Sequence, residues 1–228
     1  MRTTGKGSDL EKSDSFNKDL ALMIKKTYRE HKRIVFNGNN YSAEWVAEAH
    51  RRGLSNLKTA VDALPQFISQ KSIDLFKKQG VFSESEIYSR YEILMDSYCK
   101  TIHIEALTML DMVKGEIIPA CVEYQNNLAR LIERKRVGEY DISMEDYLLD
   151  NISKLTGYLL GKLRILEGTG ILDSTKSERN ISEQAEFYRN EVFTAMSELR
   201  VVADELETLV GRKYWTLPGY GELLYSVI

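Results

Sequence analysis

The chain has 228 residues, of which 43% are hydrophobic and 29% are charged, and its formal net charge at pH 7 is −3. This composition is ordinary for a soluble globular protein, and the slightly acidic balance disfavours nucleic-acid binding, which usually depends on a basic face. No apolar run approaches the roughly 18 residues of a membrane-spanning helix, and the N-terminus lacks the apolar core of a signal peptide. Two cysteines cannot build a secreted disulfide scaffold, so the sequence predicts a cytoplasmic protein.

The first third of the chain predicts a polar leader followed by several short helices. Either Ser13 or Ser15 can cap the first helix, because a serine hydroxyl accepts a hydrogen bond from a free amide of the first turn. Ser42 is placed to cap the second helix, which Gly53 closes. The predicted segments are a disordered leader, or one foreign to the rest of the chain, over residues 1–12 and a short-helix subdomain over residues 13–82, with short helices over residues 43–52 and 69–79.

The strongest helix signal in the sequence begins at Ser83. Ser83 and Glu86 form a capping box, in which the serine hydroxyl accepts from the Glu86 amide and the glutamate carboxylate accepts from the Ser83 amide. Phe82 and Ile87 occupy the two positions of a hydrophobic staple, which fixes the direction in which the chain enters a helix. The sequence therefore predicts a helix that begins directly after Ser83.

An apolar stripe continues from Ile87 to Leu131 with a mean step of about 3.7 residues, which is the period of a straight or slightly right-coiled helix. The stripe keeps its phase through Pro119, whereas a chain that broke and changed direction there would have no reason to keep it. We therefore predict one long helix that passes Met112, kinks near Pro119 and ends at Gly138. The kink is expected because proline removes one backbone hydrogen bond and clashes with the preceding turn.

Two more long helices follow in the sequence. Ser143 and Asp146 give a capping signal for the first of them. Ser182 is predicted to cap the second, which stops at Gly211. No segment alternates convincingly at a period of two residues, so no strand is predicted. Because long amphipathic helices bury their apolar stripes against one another, the sequence predicts an all-α fold, with an antiparallel bundle of long helices and a C-terminal tail over residues 83–228.

Asp96, Cys99 and His103 share one face of the predicted long helix, at a spacing that could present ligands to a metal ion. One helix would supply all three, however, and no second cluster of His or Cys exists to complete a zinc site, which normally needs four ligands or three and a water molecule. We therefore interpret these residues as an ordinary helix face and predict no metal site. Cys99 and Cys121 would lie about 33 Å apart along the same helix, which excludes a disulfide between them.

Four groups of residues, in the order and spacing in which they occur, resemble a known family. They are FNGNNYSAEW at 36–45; NLKTAVDALP at 56–65; SRYEI at 89–93 with KTIHIEALTM at 100–109; and ELRVVADELE at 198–207 with YW at 214–215 and YGELL at 220–224. In these stretches the sequence resembles the C-terminal domain of type III glutamine synthetase, a glutamate–ammonia ligase. The resemblance extends from about Asp9 to the C-terminus, and the shared order makes it specific.

The resemblance implies an enzyme of glutamine biosynthesis and nitrogen metabolism, which joins ammonia to glutamate in an ATP-dependent reaction through a γ-glutamyl phosphate. That chemistry needs carboxylates that hold divalent metal ions and arginines that neutralise phosphates, and in the family these residues lie in the catalytic domain upstream of this region. None of the family's catalytic motifs matches here. The resemblance therefore implies no catalytic, cofactor-binding or metal-binding residue in this chain, while ATP and Mg²⁺ belong to the parent enzyme.

The same resemblance implies that the chain supports assembly of a catalytic ring. Its partners would be the glutamine synthetase catalytic domain and the neighbouring subunits of a homo-oligomer, with no nucleic acid and no membrane. Two other interpretations stay open at the level of sequence. The chain can be part of an intact ligase and count as an enzyme on that ground, or it can be a free-standing helical adaptor that binds glutamine synthetase or another protein.

The tail after Gly211 carries apolar side chains at a density that is unusual in water, and such patches usually mark a covered surface or an interface. Either the tail folds back onto its own bundle, or it docks on the catalytic domain or a neighbouring subunit, where tryptophan and tyrosine often dominate the contact. The candidate interface residues are Phe36, Asn37, Tyr41 and Trp45 in the first stretch of family resemblance, and Trp215, Tyr220, Leu223, Leu224 and Tyr225 in the tail.

Overall fold

A computed structural model describes the backbone of residues 6–172 and 180–225 and the side chains of residues 15–172, 180–219 and 221–225. Within these ranges the chain is built of helices joined by turns and contains no β-strand, which confirms the predicted all-α class. No helix in the described part of the chain is long and apolar enough to span a bilayer.

The chain divides into two compact units, Met1–Lys58 (unit 1) and Thr59–Ile228 (unit 2). The predicted short-helix subdomain, residues 13–82, extends across this division. Residues 59–82 belong to unit 2 because they contribute to its core, in which Val61 is only 4% exposed. The helices between residues 43 and 82 are all short, whereas side chains contribute to the core of unit 2 from Val61 onwards. The division after Lys58 follows the core and not the helix length.

Unit 1 contains α1 (Lys6–Glu30), one 3₁₀ turn (Lys32–Ile34) and α2 (Ala43–Arg51). Ser42 caps α2 as predicted, because its side chain accepts from the Trp45 amide at 3.3 Å. After α2, Gly53 has a φ of 71°, the left-handed conformation that glycine adopts readily past a helix end.

The first helix begins earlier than the sequence predicted. It starts at Lys6, so neither Ser13 nor Ser15 is its N-cap, and residues 6–12, predicted to be disordered, are helical. No proline interrupts this segment, and each residue added to a nucleated helix gains a backbone hydrogen bond, so the helix extends through both serines. The first five positions of the predicted leader lie outside the described residues.

Unit 2 opens with α3 (Ala60–Ala63), a 3₁₀ turn (Leu64–Ile68) and α4 (Gln70–Lys78). The first of these elements, α3, was not among the predicted short helices. Thr59 caps it, because the threonine hydroxyl accepts from the Asp62 amide at 3.2 Å. The third predicted short helix corresponds to α4, with Ser69 at its N-cap position. All three elements pack against the long helix that follows.

The long helix α5 (Glu84–Met112) begins at the predicted capping box. The Ser83 hydroxyl accepts from the Glu86 amide at 3.4 Å, and the Glu86 carboxylate accepts from the Ser83 amide at 2.8 Å. Along α5 the apolar stripe turns into the core, where Ile87 and Met95 are fully buried. The prediction of a continuous helix from the capping box through Met112 is confirmed.

A π-helical turn, π1 (Val113–Ile117), joins α5 to α6 (Ile118–Val137), so the helical run continues without a reversal as far as its C-cap, Gly138. The turn lies directly before Pro119. In a regular α-helix the Pro119 ring would clash with the carbonyl of Gly115, four residues earlier, and Gly115 lies inside the wider π-turn. The irregularity expected near Pro119 therefore takes the form of a π-turn.

The remaining elements of the bundle are α7 (Ser143–Gly168), α8 (Ile181–Phe187), a second π-turn, π2 (Tyr188–Val192), and α9 (Phe193–Leu209). Two predicted caps are wrong. Before α7, the Asp141 carboxylate accepts from the Ser143 amide at 3.0 Å. Before α8, the Asn180 side chain accepts from the Glu183 amide at 3.0 Å, in place of Ser182. In both cases an Asp or Asn two positions earlier already satisfies a free amide, which leaves the serine inside the helix.

The core of unit 2 forms where α7 packs between α6 and α9. Ile152, Leu159 and Leu166 of α7 and Leu199 and Leu206 of α9 are fully buried. Each such side chain stabilises the bundle by roughly 1.5–3 kcal/mol relative to full exposure. The apolar stripes of the long helices are therefore covered by one another, as the sequence predicted.

Replacement of Ser83 by alanine is expected to lower the free energy of unfolding by about 1 kcal/mol, because the Glu86 amide loses its acceptor at the start of α5. Urea denaturation followed by circular dichroism measures the change. Ser89→Ala is the matched control, since Ser89 is an exposed serine farther along α5, where alanine favours the helix. A loss for Ser89→Ala equal to that for Ser83→Ala would mean that the cap is not the cause. An unchanged midpoint for Ser83→Ala would contradict this assignment of the cap.

Candidate functional site

The three residues considered as metal ligands are engaged separately in the structure. The Asp96 carboxylate pairs with Lys100 Nζ at 2.6 Å. The Tyr188 hydroxyl lies 3.3 Å from Nδ1 of His103, and Cys99 is buried with 3% exposure. Among the described residues no group of three His, Cys, Asp or Glu side chains lies close enough to share a metal ion. Their spacing along α5 therefore does not bring these residues together as ligands.

Both cysteines are free thiols in the interior of unit 2. Burial raises the pKa of the Cys99 thiol to about 11 and also raises the pKa of Cys121. Because the thiolate is the nucleophilic form, a raised pKa keeps both thiols protonated and unreactive at neutral pH. Both side chains therefore serve the core as small apolar groups.

The loop before α2 is held against that helix by two stacked rings and a guanidinium. The Phe36 and Trp45 rings stack with their centroids 4.5 Å apart. Arg52 donates to the Val35 carbonyl at 2.7 Å, and its guanidinium carbon lies 5.9 and 5.7 Å from the two ring centroids. Phe36 and Trp45, both predicted interface residues, are half-buried in this arrangement and hold the loop in place.

Glu48 orients the same guanidinium from inside α2. Its carboxylate accepts from Arg51 and Arg52, with N–O distances of 2.6 and 2.5 Å. Hydrogen bonding from Arg51, and then from Arg52, lowers the pKa of Glu48 to about 2. The carboxylate therefore stays ionised at neutral pH and keeps Arg52 in position beneath the loop.

The turn carried by this loop presents Asn37 and Tyr41, and both are exposed. Tyr41 is 98% exposed, although the backbone around it is fixed. The Tyr41 amide donates to the Asn39 side-chain oxygen at 3.0 Å, and the Ser42 hydroxyl donates to the Asn39 carbonyl at 2.9 Å. An exposed aromatic ring on a fixed turn loses little conformational freedom on contact, which is a property of interface anchors.

The tail after α9 divides into a buried half and an exposed half. In the buried half, Trp215 is only 6% exposed and belongs to the core of unit 2. Tyr214 packs on Tyr124 with ring centroids 5.2 Å apart, and the Thr216 hydroxyl donates to the Glu116 carboxylate at 2.8 Å. Trp215 therefore packs on its own bundle, as one of the two interpretations of the tail predicted.

The exposed half of the tail forms the short helix α10 (Tyr220–Tyr225). Glu222 holds its first turn, because the carboxylate accepts from the Gly219 amide at 2.8 Å and pairs with Arg212. The sequence could not separate the two halves, since both combine aromatic and aliphatic residues. The exposed fractions are 62% for Leu223, 66% for Leu224 and 82% for Tyr225, and the Tyr220 side chain lies outside the described residues.

One side of α1 forms a further apolar surface, which we call the α1 stripe. It consists of Phe16, Leu20, Met23, Ile24 and Tyr28, whose exposed fractions run from 37% to 66%. Helical spacing brings these side chains to one side of the helix. The spacing predicts which side is apolar but gives no information on what covers it, so none of these residues was among the predicted interface residues.

The sequence matches the family described as "Glutamine synthetase C-terminal domain" over residues 19–136, just over half of the chain. The chain belongs to the glutamine synthetase C-terminal domain family. Its relatives include a glutamine synthetase of Butyrivibrio fibrisolvens, 39% identical over 94% of this chain. A type-3 glutamine synthetase of Dictyostelium discoideum is 32% identical over 92% of the chain, and a glutamine synthetase of Bacteroides fragilis is 29% identical over 93%.

The chain spans only 29–31% of the length of those relatives. The family match confirms the resemblance drawn from the sequence. The matched residues include the loop before α2, most of the α1 stripe and the helical run through π1. Helix α7 and the tail lie beyond the matched residues. The surfaces that carry candidate interface residues thus lie both inside and outside the family match.

Substitutions in the two halves of the tail are expected to act differently on stability. Trp215→Ala should lower the free energy of unfolding by about 3–5 kcal/mol, because a large buried side chain leaves a cavity. The double change Leu223→Ala/Leu224→Ala should cost no more than about 0.5 kcal/mol per site, because both residues are exposed. Urea denaturation of the three proteins measures both effects, and equal losses in the two variants would contradict the division of the tail.

Proposed function

We propose that this chain is the helical C-terminal domain of a glutamine synthetase and supports assembly of the catalytic ring without contributing a catalytic residue. In the parent enzyme the reaction would be ATP-dependent ligation of ammonia to glutamate. Membership in the family supports the parent, and the printed name of the Dictyostelium relative supports the type III class. The exposed apolar surfaces of the described residues support an assembly role.

The α1 stripe is the observation that carries this proposal. Five apolar side chains lie along one side of a single helix and remain 37–66% exposed. Contiguous apolar surfaces of this kind are rare on free-standing soluble proteins and usually mark a site of interaction. Relatives of the chain are about three times as long, so a parent of similar length would have a catalytic portion available to cover the stripe.

Two smaller surfaces fit the same role. Tyr41 presents an exposed ring on a fixed turn, and α10 presents Leu223, Leu224 and Tyr225 at the end of the chain. Aromatic and leucine side chains held on ordered backbone are suitable anchors for a protein partner. We assign these surfaces to contacts with the catalytic domain or with neighbouring subunits of a homo-oligomer.

ATP and Mg²⁺ would act in the catalytic portion of the parent. Our proposal assigns neither group to the described residues of this chain. We therefore derive no catalytic step from this chain. The alternative function, a free-standing helical adaptor, would use the same exposed surfaces, but membership in the glutamine synthetase family favours the domain of a ligase.

Polar substitutions in the α1 stripe are expected to weaken association with the catalytic portion of the parent. Met23→Gln/Ile24→Gln removes two apolar side chains from the interface, and both are little more than half exposed in the free chain. Each should therefore contribute about half of the roughly 1.5–3 kcal/mol of a complete burial, so affinity should fall by at least about tenfold. Sedimentation velocity of the mixed proteins measures the complex. Lys18→Gln/Lys26→Gln, on α1 but outside the stripe, is the control and should change affinity by less than about threefold. Equal affinity for both double variants would contradict docking through the stripe.

The chain alone is expected to show no glutamine synthetase activity. With glutamate, ammonia, ATP and Mg²⁺ it should release no phosphate above background, because the metal-binding carboxylates and phosphate-binding arginines of the family's catalytic motifs do not occur in it. A coupled phosphate assay measures the reaction, and the parent's complete enzyme serves as the positive control. Turnover by purified chain that a chelator abolishes would refute both this expectation and the assigned role.

A further inference from the structure

A groove of about 640 Å³ lies between α5 and α9 on unit 2, apart from the surfaces assigned to assembly. Its floor is apolar and rich in methionine, with Met109, Met112 and Met196 among the lining side chains. Ile104 and Phe193 line it as well and are 63% and 49% exposed. Methionine side chains adapt their shape to a partner, which is why they occur often on surfaces that bind helices.

The rim of the α5–α9 groove is acidic. Glu105 lines the α5 side, while Asp204 and Glu207 line the α9 side. Arg200 is the one basic residue among those that line the groove, and its Nε lies 3.3 Å from an Asp204 carboxylate oxygen. Three carboxylates and one guanidinium leave a net negative rim around an apolar floor. A partner of matching chemistry is therefore basic at its edges and apolar along its centre.

The groove has the length of a short helix and fixed ends. Lining residues of the α5 side run from Ile104 to Ile117, which corresponds to about 20 Å at 1.5 Å per residue. The π1 turn forms one end, where Trp215 closes the groove, and Phe193, directly after π2, lies on its α9 side. Turns of the π type occur often at functional sites, because they change the direction in which side chains point.

We propose that the α5–α9 groove binds a basic amphipathic helix of a separate partner protein. About 13 residues of such a helix would place apolar side chains at every third or fourth position on the methionine-rich floor. Lysine or arginine side chains at its edges would lie against Glu105, Asp204 and Glu207. Binding at this site is independent of the proposed assembly role, since the α1 stripe and α10 take no part in it.

The test uses a synthetic 14-residue helical peptide of leucine and lysine, with leucine along one side, added to the full chain carrying Trp45→Phe. This change leaves Trp215 as the single tryptophan, and its emission reports events at the end of the groove. We expect saturable one-to-one binding of the peptide. A peptide with glutamate in place of lysine should bind at least about tenfold more weakly, because the rim would repel it.

Charge reversals distinguish the groove from general attraction to an acidic protein. Asp204→Lys/Glu207→Lys should weaken binding by about tenfold, since two ion pairs become repulsions. Glu123→Lys/Glu133→Lys on α6 changes the net charge equally and should alter binding by less than twofold. Equal weakening by both double variants would overturn the proposal. Absence of saturable binding would also overturn it. So would sedimentation equilibrium that shows dimers of the chain which the peptide dissociates, because a second copy would then be the competing occupant of the groove.

Discussion

Burial of one apolar stripe along the helical run from Glu84 to Val137 is the interaction on which the remainder of unit 2 depends. The short elements before Glu84 pack on its first part, and α7 packs along its last part and carries α9 on the opposite side. The stripe is continuous, so the short elements and α7 pack against the apolar side of one helical run. Loss of phase at any point would turn the following side chains away from their partners.

The π1 turn is the place where the helical run accommodates Pro119 and still continues into α6. Without it the proline ring would meet the carbonyl of Gly115, and the helix would have to break or bend sharply. The wider turn has a consequence for the surface as well. It lies at one end of the α5–α9 groove, while α9 packs mainly on α7, so the space between α5 and α9 remains open. The π1 turn that accommodates Pro119 therefore lies next to the candidate binding groove.

Helix caps and helix ends could be predicted where their signals lie within a few residues of one another. The predictions failed where two possible caps compete or where the extent of a helix depends on tertiary contacts. The capping box at Ser83 involves two side chains three positions apart, so it could be recognised in the sequence. Asn180 and Ser182 both satisfy the rules for a cap, and only the structure shows that the first is used. The start of α1 depends on how far a helix extends, which no single residue determines.

The candidate surfaces were predicted in part, for a related reason. Family resemblance singled out Tyr41, and apolar density singled out the tail. Neither signal can tell that Trp215 is buried and Tyr225 is exposed, because that difference depends on the bundle beneath. The α1 stripe was visible as helical spacing, yet spacing is the same for a side that enters a core and a side that meets a partner. The relatives are about three times as long as this chain, and on that ground we propose that a partner covers the stripe.

The central claim is that surfaces exposed in this chain are covered in an assembled glutamine synthetase. Hydroxyl-radical footprinting, read by mass spectrometry, tests it most directly by comparing the chain alone with the chain in its assembled parent. The account predicts that labelling of the α1 stripe, Tyr41 and Leu223 to Tyr225 falls strongly on assembly, while exposed residues of the polar side of α1 stay labelled. Equal labelling of these apolar residues in the free and the assembled state would contradict it.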